Sequence, residues 1–404
     1  MHVDDVDLLD RKTWAQPYDA YEVLRRDAPV WFDGVSSSWV ITRYDDIRAV
    51  LGDPKTFSNV FATYSGTGFV PPPTLEARDD PDHRELRRLF EGAFSPGRIR
   101  QLESLVEDNA HALIDAFIGE GTCDLVSAFA VPLPLLIIGR QMGVPEQDIW
   151  KIKRWTDAWI MGFNGDSRTP DEVRHCERSA AEMHDYFQPI FDRLRIEPDD
   201  TLLSHLVNTV VPEWDRPMTD AELHIEMTAD TFVGGAETST NALSAGVMLL
   251  IRNPEVWQRV RSDVDRWIDP LVEEVLRLEA PVQSLFRRAT RDVRIGGVDI
   301  PAESMINVRY GAGNRDETHY ESPDAVDLER RRITSHLSFG FGVHACLGAR
   351  LARRELHHGF RALATRLDTL EFVNPAADIV YQPNFVLRGI KELPIRFTPA
   401  GERT

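Results

Sequence analysis

Apolar positions recur with helical period through most of the chain. Ala349, Ala352, Leu356, Phe360 and Leu363 return every three or four residues and so fall on one face of a helix. The same period runs through nearly every segment from His83 to about Leu276, including the very apolar VPLPLLIIGRQMG and a long stretch from Asp220 to Ile251. That long segment opens on Thr219, Asp220, Glu222 and Glu226, which favour a helix start, and ends at Asn253-Pro254. Nearer the N-terminus, PYDAYEVLRRDAP and YDDIRAVLGDP read as short helices flanking two strand-like pieces, VWFDG and SSWVITR. Residues 61 to 82, with three prolines at 71 to 73, read as a long loop. After Pro281 the pattern turns to strands and turns, as in ATRDVRIGGVDIP and NFVLRGIKELPIRFTP. The pattern predicts a mainly α protein with smaller β regions.

At 404 residues and 42% hydrophobic, the chain can bury a large core. No linker-like or repeated segment divides it, so one domain over residues 1–404 is expected. The opening MHVDDVDLLDRKTWAQPYDAY has no signal-peptide core, and no later stretch is apolar for long enough to span a bilayer. A cytoplasmic protein without membrane anchor is the expectation. Cys123, Cys176 and Cys346 are an odd, widely spaced set with no CxxC pair, which argues against a disulfide framework or a cysteine-rich zinc site. A formal net charge of −19 argues against nucleic-acid binding by the whole molecule.

Cys346 stands in a glycine-rich loop, HLSFGFGVHACLGARLARRE, just before the helix that starts near Ala349. The amino end of that helix offers N–H groups and a favourable dipole to a thiolate. Gly342 and Gly348 let backbone or a flat ligand come close. A thiolate with donors around it and no nearby general base suits an axial metal ligand better than a nucleophile. A buried structural thiol is the plain alternative. A cysteine hydrolase would need a fixed partner, and although His344 lies two residues away, nothing marks an orienting carboxylate.

Phe339, Gly342, Cys346 and Gly348 occupy the fixed positions of FxxGxxxCxG, and the loop resembles the haem-binding loop of the cytochrome P450 family. Four further segments are similar to the family's, in its order. Glu274 and Arg277 match ExxR, sharing a helix face at i and i+3. Gly234-Gly235-Ala236-Glu237-Thr238 resembles the oxygen-activating segment, where two glycines inside a helix imply space or local distortion, or else close helix packing. Asp80-Pro81-Asp82-His83 with Arg87 is similar to the helix that pairs with a haem propionate, and Arg287 and His336 fall where the family places further propionate partners. RGIKELPIRF looks like the closing hairpin. One departure is Ala325, which stands where many relatives carry a third arginine for the ExxR network.

The resemblance implies one large P450-like fold holding haem b through Cys346, and a monooxygenase that inserts one atom of O2 into a substrate. It implies that Glu237 and Thr238 relay protons and hold the oxygen. Oxidative coupling, dealkylation, desaturation or peroxide-driven chemistry on the same scaffold, and a non-catalytic haem sensor, are the alternatives. By position relative to the motifs, the pocket draws on Phe61, Tyr64, Phe69, Val70, Trp159, Phe163, Asp230, Val233, Gly234, Gln283, Leu285, Phe286, Val386 and Leu387. Most are apolar, suiting a small or medium hydrophobic or aromatic substrate, although each could be plain core. Asp230 either packs internally or anchors an amine or hydroxyl. The chain ends soon after the closing segment, so electrons are expected from a separate ferredoxin and ferredoxin reductase. Arg350, Arg353, Arg354 and His357, extended by Arg84, Arg88, Arg98 and Arg100, are expected to form its docking face.

Overall fold

A computed structural model describes residues 1–60, 73–162 and 169–401. The chain divides into two units. One comprises Met1–Phe57, Glu103–Leu133 and Thr238–Thr404, the other Ser58–Leu102 and Pro134–Glu237. Among the described residues, no helix is long and apolar enough to cross a membrane.

The first unit contains the β structure. Val30–Asp33 and Ser38–Ile41 pair antiparallel, Ser38–Ile41 pairs parallel with Met305–Val308, and that strand pairs antiparallel with Leu285–Ala289. Ile41, Ile306, Val308 and Ala289 from these strands are fully buried, together with Ile47 from the Tyr44–Gly52 helix. Phe341 of the cysteine loop packs against this cluster, which fixes the loop to the sheet. A second sheet joins Thr122–Asp124, Pro394–Pro399 and Leu367–Phe372 in that order. The tail pairs as a short antiparallel turn, with the Gln382 N–H on Gly389 O at 2.8 Å and the Lys391 N–H on Val380 O at 2.9 Å on either side of the Tyr381–Ile390 bridge. Only Pro394–Pro399 is a strand, and the preceding residues make single bridges, Val282 to Leu387 and Tyr381 to Ile390.

Two helices of this unit approach through glycines. A Cβ on Gly246 of the Thr238–Arg252 helix would lie 2.3 Å from the Phe360 ring, and one on Gly359 of the Ala349–Arg366 helix would lie 2.8 Å from Leu243. Only glycine allows this spacing.

The second unit is helical. Ile149–Gly162 packs on Pro170–Ile196, whose Phe187 and Phe191 are fully buried with Phe232. Thr219 caps the next helix as expected, accepting the Glu222 N–H while Glu222 returns to the Thr219 N–H. The long helical segment is not uniform, however. Asp220–Glu226 is α-helical, Met227–Glu237 is a π-helix, and Thr238–Arg252 is α-helical again. The local distortion implied by the glycine pair is this wide stretch, of a kind that is rare and concentrated at functional sites.

Candidate functional site

Cys346 is exposed on the first unit. Its own N–H donates to Phe339 O at 2.8 Å, and the Ala345 N–H to Gly342 O at 3.1 Å, so the loop closes on itself beneath the sulfur. Gly340 and Gly342 have φ of 67° and 77°, and a Cβ on Gly342 would sit 2.5 Å from Leu51 O. No other residue suits that position. Gly348 caps the 18-residue helix Ala349–Arg366, accepting the Ala352 N–H at 2.9 Å, so the helix dipole is directed at the cysteine turn.

Glu274 and Arg277 lie behind this loop with no exposure. Arg277 Nε and Nη2 donate to Glu274 at 2.7 and 2.9 Å, and its guanidinium also donates to the carbonyls of Asn314, Pro323 and Ala325. The third member is Arg330. Its Nε donates to Glu274 at 2.9 Å, and its Nη2 meets Ala325 O at 2.9 Å. The arginine absent at 325 is thus replaced by one five residues later. Both arginines share the Ala325 carbonyl, which needs no particular side chain.

His336 is buried, but both its nitrogens engage protein. Nε2 lies 3.0 Å from Glu273, and Nδ1 accepts the Ser338 N–H at 3.3 Å. Arg353 closes on the same carboxylate at 2.6 Å and lies over the Phe339 ring. Against the burial that would raise it, these two partners hold Glu273 down at about 2. Arg287 is 4% exposed and has no carboxylate within salt-bridge distance among the described residues. A buried guanidinium without a counter-ion calls for an anion. With the glycine-cradled thiol, it makes a donor set that fits haem and its propionates.

On the second unit, His83 is buried with Nδ1 3.4 Å from Asp80, and burial lowers its pKa. Arg87 is half-buried one turn on. Glu237 ends the π-helix at 3% exposure. Burial pushes its carboxyl up, and the Lys153 ammonium 3.3 Å away pulls it back. Lys153 also pairs with half-exposed Asp157, giving a chain of charged groups from the buried acid to the surface. Thr238 begins the α-helix in the first unit. Beside it, Ser239 donates to Glu355 Oε2 at 2.7 Å, and burial raises that carboxyl to about 8.

Phe61, Tyr64, Phe69, Val70 and Phe163 lie outside the described residues. Val386 O accepts the Gln283 N–H at 2.7 Å, which brings the 282–287 and 384–388 segments together, with Leu285, Phe286 and Val386 half-buried. Gln283 is buried, its Nε2 donating to Ala280 O at 2.7 Å. Val233 and Leu387 are buried, Trp159 and Asp230 half-buried, and Gly234 exposed.

Five residues of the expected basic set pair with acids. Arg353 is held by Glu273, Arg354 by Glu103 at 3.2 Å and His357 by Asp269 at 2.6 Å, while Arg84 and Arg88 both meet Glu85. Exposed Arg350, Arg98 and Arg100 pair with no acid among the described residues. Helical periodicity groups the basic residues but carries no information on acids arriving from other segments.

The profile of the family described as cytochrome P450 matches residues 168–372. Cytochrome P450 109 of Bacillus spizizenii is 33% identical over 384 residues, covering 95% of this chain and 92% of its own. Cytochrome P450 monooxygenase PikC of Streptomyces venezuelae is 32% identical, covering 99% and 96%. The solved structure of cytochrome P450 CYP109Q5 from Chondromyces apiculatus superposes with a TM-score of 0.85 at 31% identity, covering 98% of this chain and 99% of that one. Cradled thiol, buried Glu-Arg-Arg network and whole-length similarity agree: the chain belongs to the cytochrome P450 family.

Proposed function

We propose that this monooxygenase inserts one atom of O2 into a C–H bond of a small or medium hydrophobic or aromatic substrate, using electrons from a separate ferredoxin. The observation that carries this reading is the exposed, glycine-cradled Cys346 at a helix start, in a chain whose acid-alcohol pair Glu237-Thr238 stands where a π-helix returns to α. Haem held by Cys346, with Arg287 toward its propionates, would supply the redox chemistry and dioxygen binding.

The protein's own part is proton management. Glu237 is buried, so it carries a proton more readily than an exposed carboxyl, and Lys153 limits that tendency. Breaking the Lys153 contact would let Glu237 take a proton from the Asp157 side and pass it to the Thr238 hydroxyl, its neighbour along the helix. Thr238 then needs only to donate one hydrogen bond. Thr238→Ala should therefore leave substrate-induced spin shifts intact while raising hydrogen peroxide formed per reductant consumed, with product falling roughly 10-fold or more. Unchanged coupling of reductant to product would remove Thr238 from the relay.

Arg350, four residues past the cysteine and exposed, is a remaining contact for an acidic ferredoxin. Arg350→Glu should slow ferredoxin-driven reduction roughly 3- to 10-fold at low ionic strength, the difference shrinking as salt screens it. Reversing Arg353 would be a poorer test, because it strips Glu273 of its cation. A reduction rate indifferent to both Arg350→Glu and salt places docking elsewhere.

A further inference from the structure

Three acids follow one another at four-residue intervals, Glu222, Glu226 and Asp230, and their partners differ sharply. Glu222 receives two hydrogen bonds from Arg216, at 2.7 and 3.0 Å, and one from the Thr219 N–H at 2.8 Å. Against burial, those bonds hold it at about 2. Glu226 is 1% exposed, and neither of its carboxylate oxygens accepts a hydrogen bond. Asp230 accepts the Glu76 N–H at 3.2 Å and pairs with no cation among the described residues. Arg78 does not fill the gap. It is 3.8 Å from both Asp82 and Glu222, lies over the Trp214 ring, and acts on Glu226 only through its field.

Two neighbouring acids are therefore held against each other and the Leu75 and Glu76 N–H groups without a paired cation among the described residues, on the stretch of helix that leads to exposed Gly234 and the Glu237-Thr238 pair. Burial and mutual repulsion push Glu226 well above the usual carboxylate range, and burial with the Glu76 carboxylate pushes Asp230 up to about 8. Buried acids are normally paired. No cluster of three ligating side chains suited to a metal occurs among the described residues. Proton delivery already has its own acid chain through Lys153 and Asp157. A hydroxyl would satisfy one oxygen and leave both acids protonated, whereas a cation lets Asp230 ionise and supplies its counter-charge.

We propose that Asp230, backed by Glu226, receives a basic nitrogen of the substrate, an alkylated ammonium on an otherwise apolar molecule. This rests on the monooxygenase reading for what then happens to the substrate.

The test uses the haem-loaded protein with a phenylalkyl trimethylammonium and its uncharged tert-butyl isostere, neither of which can ligate iron. Affinity is read by calorimetry and by spin shift. The cation should bind at least 10-fold more tightly than the isostere. Asp230→Asn should erase that preference while changing the isostere's affinity less than 2-fold, and Glu226→Gln should reduce it. Equal affinities in the unmodified protein, no binding of the cation, or a preference that survives both substitutions overturns the proposal. The Soret band of the reduced carbon-monoxide complex, recorded on the same samples, separates the two readings. A thiolate band without cation preference removes only the receptor, and a missing band removes the haem-thiolate reading while the calorimetry still decides the receptor.

Discussion

Replacing Cys346 with serine should abolish the red-shifted Soret band of the reduced carbon-monoxide complex and lower product formation roughly 1,000-fold or more, about 4 kcal/mol of barrier. A serine hydroxyl stays protonated where the helix start would favour a thiolate, so a haem held there would lose its charged sulfur ligand. The fold should survive. The loop is closed by backbone bonds, Cys346 N–H to Phe339 O and Ala345 N–H to Gly342 O, and the side chain is exposed. Unchanged circular dichroism beside a lost band is the expected pair of observations, and a retained band would displace Cys346 as the ligand.

Glu274→Ala should act oppositely, on the fold first. It leaves Arg277 and Arg330 buried without their shared counter-ion, and breaking a buried pair costs about 3–5 kcal/mol. That is a large share of the roughly 5–15 kcal/mol that holds a typical domain. The variant should accumulate as insoluble or haem-free protein, with a urea midpoint well below that of Glu274→Gln, which keeps one acceptor oxygen for the arginines. Equal midpoints for Glu274→Ala and the unmodified chain would show that the network contributes little.

The sequence was legible where function imposes fixed spacing. Phe339, Gly342, Cys346 and Gly348 stand within one loop, and its two glycines have local reasons that structure repeats: a left-handed φ and a close approach to Leu51 at Gly342, a helix start at Gly348. Partners brought together by chain reversal were not legible. Arg330 reaches Glu274 across 56 residues because the 321–330 segment folds back, and nothing in SPDAVDLERR says which arginine turns inward. The acids that pair with Arg353, Arg354 and His357 were not legible for the same reason, since Glu273, Glu103 and Asp269 lie 80 to 251 residues from them. Two adjacent glycines announced a distortion in the long helix, but not that it would run for 11 residues as a π-helix. Lys153 was recoverable in part, because its i, i+4 spacing to Asp157 is visible, although its contact with Glu237 is not.

The reciprocal glycine contacts of the first unit bear on how this protein could be re-engineered. The Cβ that Gly246 lacks would strike the Phe360 ring at 2.3 Å and Val275 at 3.1 Å, and Val275 adjoins Glu274 in the chain. Three helices thus meet at one point: the helix beginning at Thr238, the one following the cysteine and the one carrying the Glu-Arg pair. An alanine at 246 cannot be absorbed by a swinging flexible side chain, because a buried aromatic ring stands in its way. A mutant library aimed at new substrates should therefore hold Leu243, Gly246, Val275, Gly359 and Phe360 constant and place its diversity upstream, around Asp230 and Val233, where substitutions leave this junction untouched.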